Sequence, residues 1–344
     1  MNYLETLDKK TKDYFCVLEP NFPEWLIDYI NTEELLKQQY ISTTCGIIYS
    51  DLFEYNYFYS SLNHSIAVAL IIWHFTNDKK QTLSGLFHDI ATPVFKHCID
   101  FLNGDYMSQE STENLTSKII SKSKQIMKLL KRDNISLEEI DNYHKYPIAD
   151  NDTPKLSSDR LEYSLSNALL TYNLLDISDI KEIYNDIEIQ INENNIEELG
   201  FKTKNVARKF VKTTSKLSLF YREDRTRYSM QFLADIIKKL KKERSVTKKD
   251  LYNLKEIDII NIIENSNYSD LYNIWKNSNK VKKSKIKPQN VYYVHHGAKI
   301  RYIDPLVNGK RISKICKIAK KMIDKNLSYD MSNYVYLDNI NFNK

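Results

Sequence analysis

The 344-residue chain has little glycine and little proline, six and seven residues respectively. An all-β sandwich or barrel needs frequent turns, and these two residues mark most of them, so their scarcity argues against that class. The four cysteines form no CxxC pair and have no zinc-site spacing. This pattern argues against disulfides and structural zinc, and favours reduced thiols in a cytoplasmic protein. We predict a mostly helical chain.

Long apolar runs and a strong excess of one charge are also missing. The longest apolar run, residues 66–73, is too short to span a bilayer, and residues 1–10 lack the apolar core of a signal peptide. Neither membrane insertion nor secretion is expected. The 50 basic and 45 acidic residues give a net charge of +5, which is too balanced to indicate nucleic acid as a partner and leaves that partner open.

Apolar residues at helical spacing predict an all-α protein built around one helical bundle. Two consecutive helices are predicted after Asn63, separated by a polar break at residues 76–80, and Ser157-Ser158 offers an N-cap for a later helix. The predicted organisation has four parts: an N-terminal helical lead-in (1–50), a helical core (51–180), a helical extension (181–287) and a C-terminal element (288–344).

The extension and the C-terminal element differ in their patterns. Residues 177–240 keep a helical period, and the lysine-rich stretches at 238–249 and 276–287 are typical of exposed helix ends and a linker. Beyond Pro288, the β-prone residues of 291–294 and 300–303 flank a loop that contains Gly297. This pattern predicts a small β-hairpin.

Four residues form a candidate metal site on three predicted helices: His64, the adjacent pair His88-Asp89, and Asp159. Taken singly, each has an ordinary structural explanation, such as a hydrogen-bonded histidine in the core or an aspartate near a helix N-terminus. Together they suit one ion between helices, because neighbours on a helix differ by roughly 100° in direction and can both reach a groove. Two imidazoles and two carboxylates fit Mn, Fe, Co, Ni or Zn.

These residues resemble the H…HD…D signature of HD-domain phosphohydrolases. The stretch from Leu86 to Asp100, with Phe95-Lys96-His97 after the HD pair, is similar to the extended motif of the branch that contains deoxynucleoside triphosphate triphosphohydrolases. Asp159 to Tyr163 resembles that branch's Asp-Lys-x-Asp-Tyr segment. The likeness covers roughly residues 20–175 and rests on short motifs that are specific in combination. It implies an HD-domain helical bundle and phosphohydrolase activity.

The chain departs from the family pattern at several positions. Ser61 stands where the family often has arginine, and Thr44-Cys45-Gly46 replaces a Gln-x-Gly segment that contacts the sugar. Thr92 stands where the family has a second histidine after the HD pair, and Gln109-Glu110 stands where it has a His-Glu pair. These departures leave the four metal ligands intact and leave open whether the substrate is a triphosphate.

Other polar residues around this motif are candidates for catalysis. His97 lies three residues before Asp100, so both share a helical face, and His97 is a candidate proton donor oriented by Asp100. A purely structural role for His97 stays open. Glu110 is a candidate for assisting the attacking water, although helix capping explains it equally well.

Two further residues are candidates for binding substrate. Arg160 offers a fork of donors to a phosphate, and Tyr163 can pack against a sugar or a base. Ordinary surface and core roles remain open for both residues.

The predicted function is a metal-dependent hydrolysis of nucleotides, with dNTPs as one option, through attack of a metal-bound water on phosphorus. One divalent transition metal is expected, because no further histidine pair has the spacing of a binuclear site, and Mg²⁺ can accompany substrate phosphates. Two alternatives stay open: an HD hydrolase acting on a signalling nucleotide or a nucleic-acid end, and a nucleotide-binding regulator without turnover. The partner is then a nucleotide or another phosphorylated small molecule, and a homo-oligomer is an option.

Overall fold

The protein is described by a computed structural model that covers residues 2–107 and 115–342. Helices dominate, with 54% helix and 7% strand, which confirms a mainly helical class; the strands form two small sheets. The α-helices are α1 (Lys9–Leu18), α2 (Leu26–Ile30), α3 (Glu33–Leu36), α4 (Ser61–Thr76), α5 (Lys79–Phe87), α6 (Cys98–Leu102), α7 (Thr116–Lys122), α8 (Lys124–Arg132), α9 (Ser158–Ser166), α10 (Ile177–Asn185), α11 (Lys204–Phe220), α12 (Asp224–Lys242), α13 (Lys248–Asn253), α14 (Glu256–Glu264), α15 (Ser269–Lys276), α16 (Ile312–Ile315) and α17 (Lys317–Leu327).

The helices that carry the metal motif begin and end where capping residues stand. Ser60 caps α4 by accepting from the backbone N–H of Asn63, and the helix ends at Thr76, before Asn77, whose left-handed backbone (φ 50°) terminates it. Ser157 caps α9 by accepting from the N–H of Arg160. The predicted helices after Asn63, the polar break and the later N-cap are therefore confirmed. A π-helical turn, Asn167–Thr171, directly follows α9.

Two small sheets accompany the helices. The strands are β1 (Ile187–Ile191), β2 (Glu197–Phe201), β3 (Lys282–Ser284), β4 (Tyr293–Val294), β5 (Leu306–Val307), β6 (Lys310–Arg311) and β7 (Tyr334–Tyr336), arranged as β1-β2-β5-β6 and β3-β7-β4. The helical period predicted over 177–240 is wrong at β1 and β2, where Ile187, Ile189 and Ile191 alternate as in a strand. The linker predicted over 276–287 likewise contains β3, which pairs with β7.

The predicted hairpin over 291–303 is wrong. Tyr293 and Val294 pair with β7, which lies about forty residues further along the chain, and residues 295–303 contain no strand. Val335 of β7 is fully buried beside Val294, so the apolar contact between β4 and β7 outweighs a local turn. Residues 295–303 are instead an irregular segment, which brings Lys299 and Arg301 to a large cavity.

The apolar core forms two main clusters. The larger one unites α1, α4, α5 and α9 with β1, β2, α11 and α17, and the other surrounds α12, α14 and α15. The four-part organisation stays a prediction. Within the described residues, no helix combines the length and the apolar character that crossing a membrane requires.

Candidate metal centre and cavity

The structure brings the four predicted metal ligands together. His64 lies in the first turns of α4, His88 and Asp89 follow the end of α5, and Asp159 lies in the first turn of α9. Helix α4 packs against both α5 and α9, so the three elements meet where these side chains point inward. The side chains of the two histidines are 7% and 5% exposed, and those of the two aspartates are each 21% exposed.

The donor atoms are spaced as a single ion requires. His64 Nε2 lies 3.2 Å from His88 Nε2 and 3.1 Å from Asp159 Oδ1. Asp89 Oδ2 lies 3.9 Å from His64 Nε2 and 3.8 Å from His88 Nε2, and His88 Nε2 lies 3.7 Å from Asp159 Oδ1. Donors bound at about 2.1 Å from a common ion are separated by roughly 3–4 Å. The four donors therefore fit a divalent metal.

Both histidines present Nε2 to the centre because Nδ1 is engaged elsewhere. His64 Nδ1 bonds the carboxylate of Glu162, and His88 Nδ1 donates to the backbone carbonyl of Gly85 at 2.6 Å. In the neutral imidazole that a metal binds, an N–H on Nδ1 leaves the Nε2 lone pair for the ion. Glu162 lies one turn after Asp159 and is fully buried, and it also accepts from Tyr59 Oη at 2.8 Å.

Charges of opposite sign are packed tightly here. Burial lowers the pKa of His64, but the Glu162 carboxylate and Asp159 outweigh burial and raise that pKa to about 10. Burial opposes ionisation of Asp89 as well, yet Lys96 and the two histidines hold the pKa of this carboxyl well below its usual range. Lys96 Nζ lies 2.5 Å from Asp89 Oδ2. Burial also opposes ionisation of Asp159, but His64 and His88 hold the pKa of this carboxyl well below its usual range. Both aspartates are thus anionic, as metal ligands must be.

The four donors line a cavity of about 380 Å³. His97 lines it too, and its Nδ1 lies 2.9 Å from Oδ2 of the fully buried Asp100, which is the pairing that the sequence predicts. Arg301 Nη2 lies 3.5 Å from His97 Nε2. His97 and the four metal donors therefore face the same space.

The two predicted substrate-binding residues also line this cavity, in different surroundings. Arg160 Nη1 donates to Asn151 Oδ1 at 2.7 Å and lies 3.4 Å from Asp150 Oδ1, so its guanidinium is already bound to the protein. The ring of Tyr163 lies beneath the Arg301 guanidinium, 5.9 Å away. Glu110, the remaining predicted catalytic residue, lies outside the described residues.

Several residues of the cavity were not predicted from the sequence as functional. They are Lys96, Lys299, Arg301 and the tyrosines Tyr55, Tyr172 and Tyr221. Glu162, which is fully buried and bonds His64 Nδ1, was not predicted as functional either. The spacing of Glu162, three residues after Asp159, was a usable signal, because it places both on one helix face. Lys96 lies within the quoted motif stretch, between Phe95 and His97, whereas Tyr221, Lys299 and Arg301 come from distant parts of the chain and give no local signal.

Comparison with protein families gives no matching family model. The uncharacterized protein YdhJ of Bacillus subtilis is 26% identical to this chain over 137 residues, which is 39% of this chain and 42% of that protein. The chain thus matches less than half the length of this relative.

Two solved structures resemble the whole fold. A phosphohydrolase from Bacteroides thetaiotaomicron superimposes with a TM-score of 0.60 at 14% identity, over 92% of this chain and 96% of its own. A hypothetical protein from Aquifex aeolicus gives a TM-score of 0.55 at 15% identity, over 92% and 93%. At this level of identity, the likeness shows a shared fold.

Proposed function

We propose that the protein is a metal-dependent phosphohydrolase of the HD type, with His64, His88, Asp89 and Asp159 as its ligands. The observation that carries this proposal is the convergence of four donors from three helices at spacings that suit one ion. The fold likeness to a protein named a phosphohydrolase supports it. The two-nitrogen, two-oxygen donor set suits Mn, Fe, Co, Ni or Zn.

The residues around the donors suit hydrolysis at phosphorus. A divalent ion polarises a phosphoryl oxygen and lowers the pKa of water that it binds. His97 faces the cavity with its Nε2 side, since Nδ1 is held by Asp100. In this proposal His97 gives a proton to the leaving oxygen, and Asp100 orients its ring. Arg301, beside His97 Nε2, offsets negative charge that develops on the leaving group.

We infer that the substrate is a nucleotide or a similar phosphorylated small molecule. The cavity wall combines cationic side chains, Lys299 and Arg301, with the aromatic rings of Tyr55, Tyr163 and Tyr172. Cationic groups bind phosphates, and aromatic rings stack on sugars or bases. A volume of about 380 Å³ falls within the range of pockets that hold small ligands.

Metal analysis and a substrate panel test the proposal. Purified protein should hold about one transition metal per chain, and with Mn²⁺ it should release phosphate or pyrophosphate from at least one nucleotide. Asp89→Asn should lose both metal and turnover, because it replaces an anionic ligand with an amide of the same shape. The control is Asp152→Asn, an exposed cavity residue that should retain the metal.

A wild-type protein that neither carries a metal nor gains stability from Mn²⁺, Fe²⁺, Co²⁺ or Ni²⁺ would refute the metal site. Metal binding without turnover on any nucleotide or phosphoester would refute the hydrolase activity alone.

A further inference from the structure

A buried lysine stands directly beside the proposed metal ligands. Lys96 Nζ lies 2.5 Å from Asp89 Oδ2 and 3.3 Å from Ser61 Oγ, and its side chain is 9% exposed. It also lines the cavity. A buried ammonium is costly unless it is paired, and here its partner is a carboxylate that a metal would also use.

The backbone that carries Lys96 has an unfavourable conformation. Phe95 and Lys96 are consecutive non-glycine residues with φ values of 65° and 43°, in the left-handed region that side chains disfavour. Tertiary contacts hold them there. The Phe95 ring is buried directly against Gly46, where a Cβ would come within 2.5 Å of it, and the neighbouring Val94 N–H donates to Leu251 O at 2.8 Å. Such strain persists where the surrounding fold enforces it, commonly at functional sites.

The net charge of the metal-loaded site depends on this lysine. Three carboxylates, those of Asp89, Asp159 and Glu162, surround the two histidines. A divalent ion cancels two of these charges, and the Lys96 ammonium cancels the third. Without Lys96 the metal-loaded site would be negative, and it would repel a phosphate.

We propose that Lys96 anchors an oxygen of the substrate phosphate beside the metal, in a site where it shares Asp89 with the ion. This inference rests on the proposed phosphohydrolase function and names the residue that recognises the phosphate. It makes two predictions of opposite sign. Removing the ammonium removes a cation that competes with the metal for Asp89, so metal binding should strengthen. It also removes a charged hydrogen-bond donor to the phosphate, so phosphate binding should weaken.

Both effects can be measured without turnover. Mn²⁺ affinity is measured by competition with a fluorescent chelator, and inorganic phosphate affinity by calorimetry on the Mn²⁺-loaded protein. Lys96→Met should bind Mn²⁺ roughly tenfold more tightly, or better, because like charges in a buried site repel strongly. Its phosphate affinity should fall by at least roughly tenfold, as expected for a lost charge-assisted hydrogen bond. Lys96→Arg should keep phosphate binding within about threefold of the wild type, because the charge remains.

A second variant and a matched control complete the experiment. Lys96→Gln leaves a hydrogen-bond donor for Asp89 and serves as the test if Lys96→Met does not fold. It should likewise bind Mn²⁺ more tightly and phosphate more weakly than the wild type. Lys209 forms an ion pair with Asp179 at a distance of 2.5 Å, and neither residue lines the cavity. Lys209→Met should therefore change neither the Mn²⁺ affinity nor the phosphate affinity.

Unchanged or stronger phosphate binding in both Lys96→Met and Lys96→Gln would overturn the inference, as would loss of Mn²⁺ binding in both variants. If the wild type binds phosphate through Lys96 but hydrolyses no substrate, the phosphate anchor is supported and the proposed hydrolase activity is rejected.

Discussion

Glu162 offers the sharpest test of how the proposed centre is held. Its carboxylate is fully buried, bonds His64 Nδ1, and accepts from Tyr59 Oη at 2.8 Å and from Tyr14 Oη at 3.4 Å. Glu162→Gln keeps the shape and an acceptor for His64 but removes the charge. The two tyrosine hydroxyls can rotate to accept from the new amide, so we expect the variant to fold.

The expected size of the effect follows from this contact. The Glu162 carboxylate is the main influence that raises the pKa of His64 against burial, and the same field makes Nε2 a stronger metal donor. Loss of a carboxylate that orients a ligating histidine lowers metal affinity by roughly 10–100-fold. This corresponds to about 1.4–2.8 kcal/mol.

Chelator competition with Mn²⁺ at constant pH measures this change, and circular dichroism checks the fold. Glu188→Gln is the control, because Glu188 lies in β1, away from the cavity. An unchanged Mn²⁺ affinity in a folded Glu162→Gln protein would refute the view that Glu162 tunes His64.

Three other predictions concern catalysis, packing and pH. His97→Ala should keep the metal but lower turnover roughly 10²–10⁴-fold, with a milder loss for Asp100→Asn; equal rates would leave His97 a structural role. Gly46→Ala should lower the free energy of unfolding by about 2–5 kcal/mol, measured in urea, because Gly46 has φ 80° and a Cβ would clash with Phe95. Burial raises the pKa of Glu256 to about 8, so the native state binds more protons than the unfolded state between about pH 4.5 and 8, and stability falls as pH rises. Glu256→Gln should remove that slope from unfolding curves measured across the window; an identical slope would reject the assignment.

The helices that carry the donors could be predicted because their signals are local. Apolar spacing after Asn63, the polar break before α5 and the serine cap of α9 all lie within a few residues of the features that they determine. Motif spacing brought the four donors into one hypothesis, and the structure places those donors within 4 Å of one another in most pairs.

The strands could not be predicted as well because their partners are remote. β2 pairs with β5, about a hundred residues later, and β4 pairs with β7 across about forty residues. A two- or three-residue strand has little preference of its own, so these pairings depend on burial of side chains such as Val294 and Val335. The local sequence pattern therefore predicted a hairpin around residues 295–299, whereas this irregular segment brings Lys299 and Arg301 to the cavity.

Ser61 shows why a motif read position by position can mislead. The resembled family often has a cation at that position, so serine there suggests a weakened phosphate site. In the folded chain, Lys96 Nζ lies 3.3 Å from Ser61 Oγ, and the backbone at Phe95 and Lys96 is left-handed. The small serine leaves room for a cation that arrives from another element. The substitution at Ser61 is therefore no argument against phosphate binding, since the charge at this place depends on the three-dimensional neighbourhood.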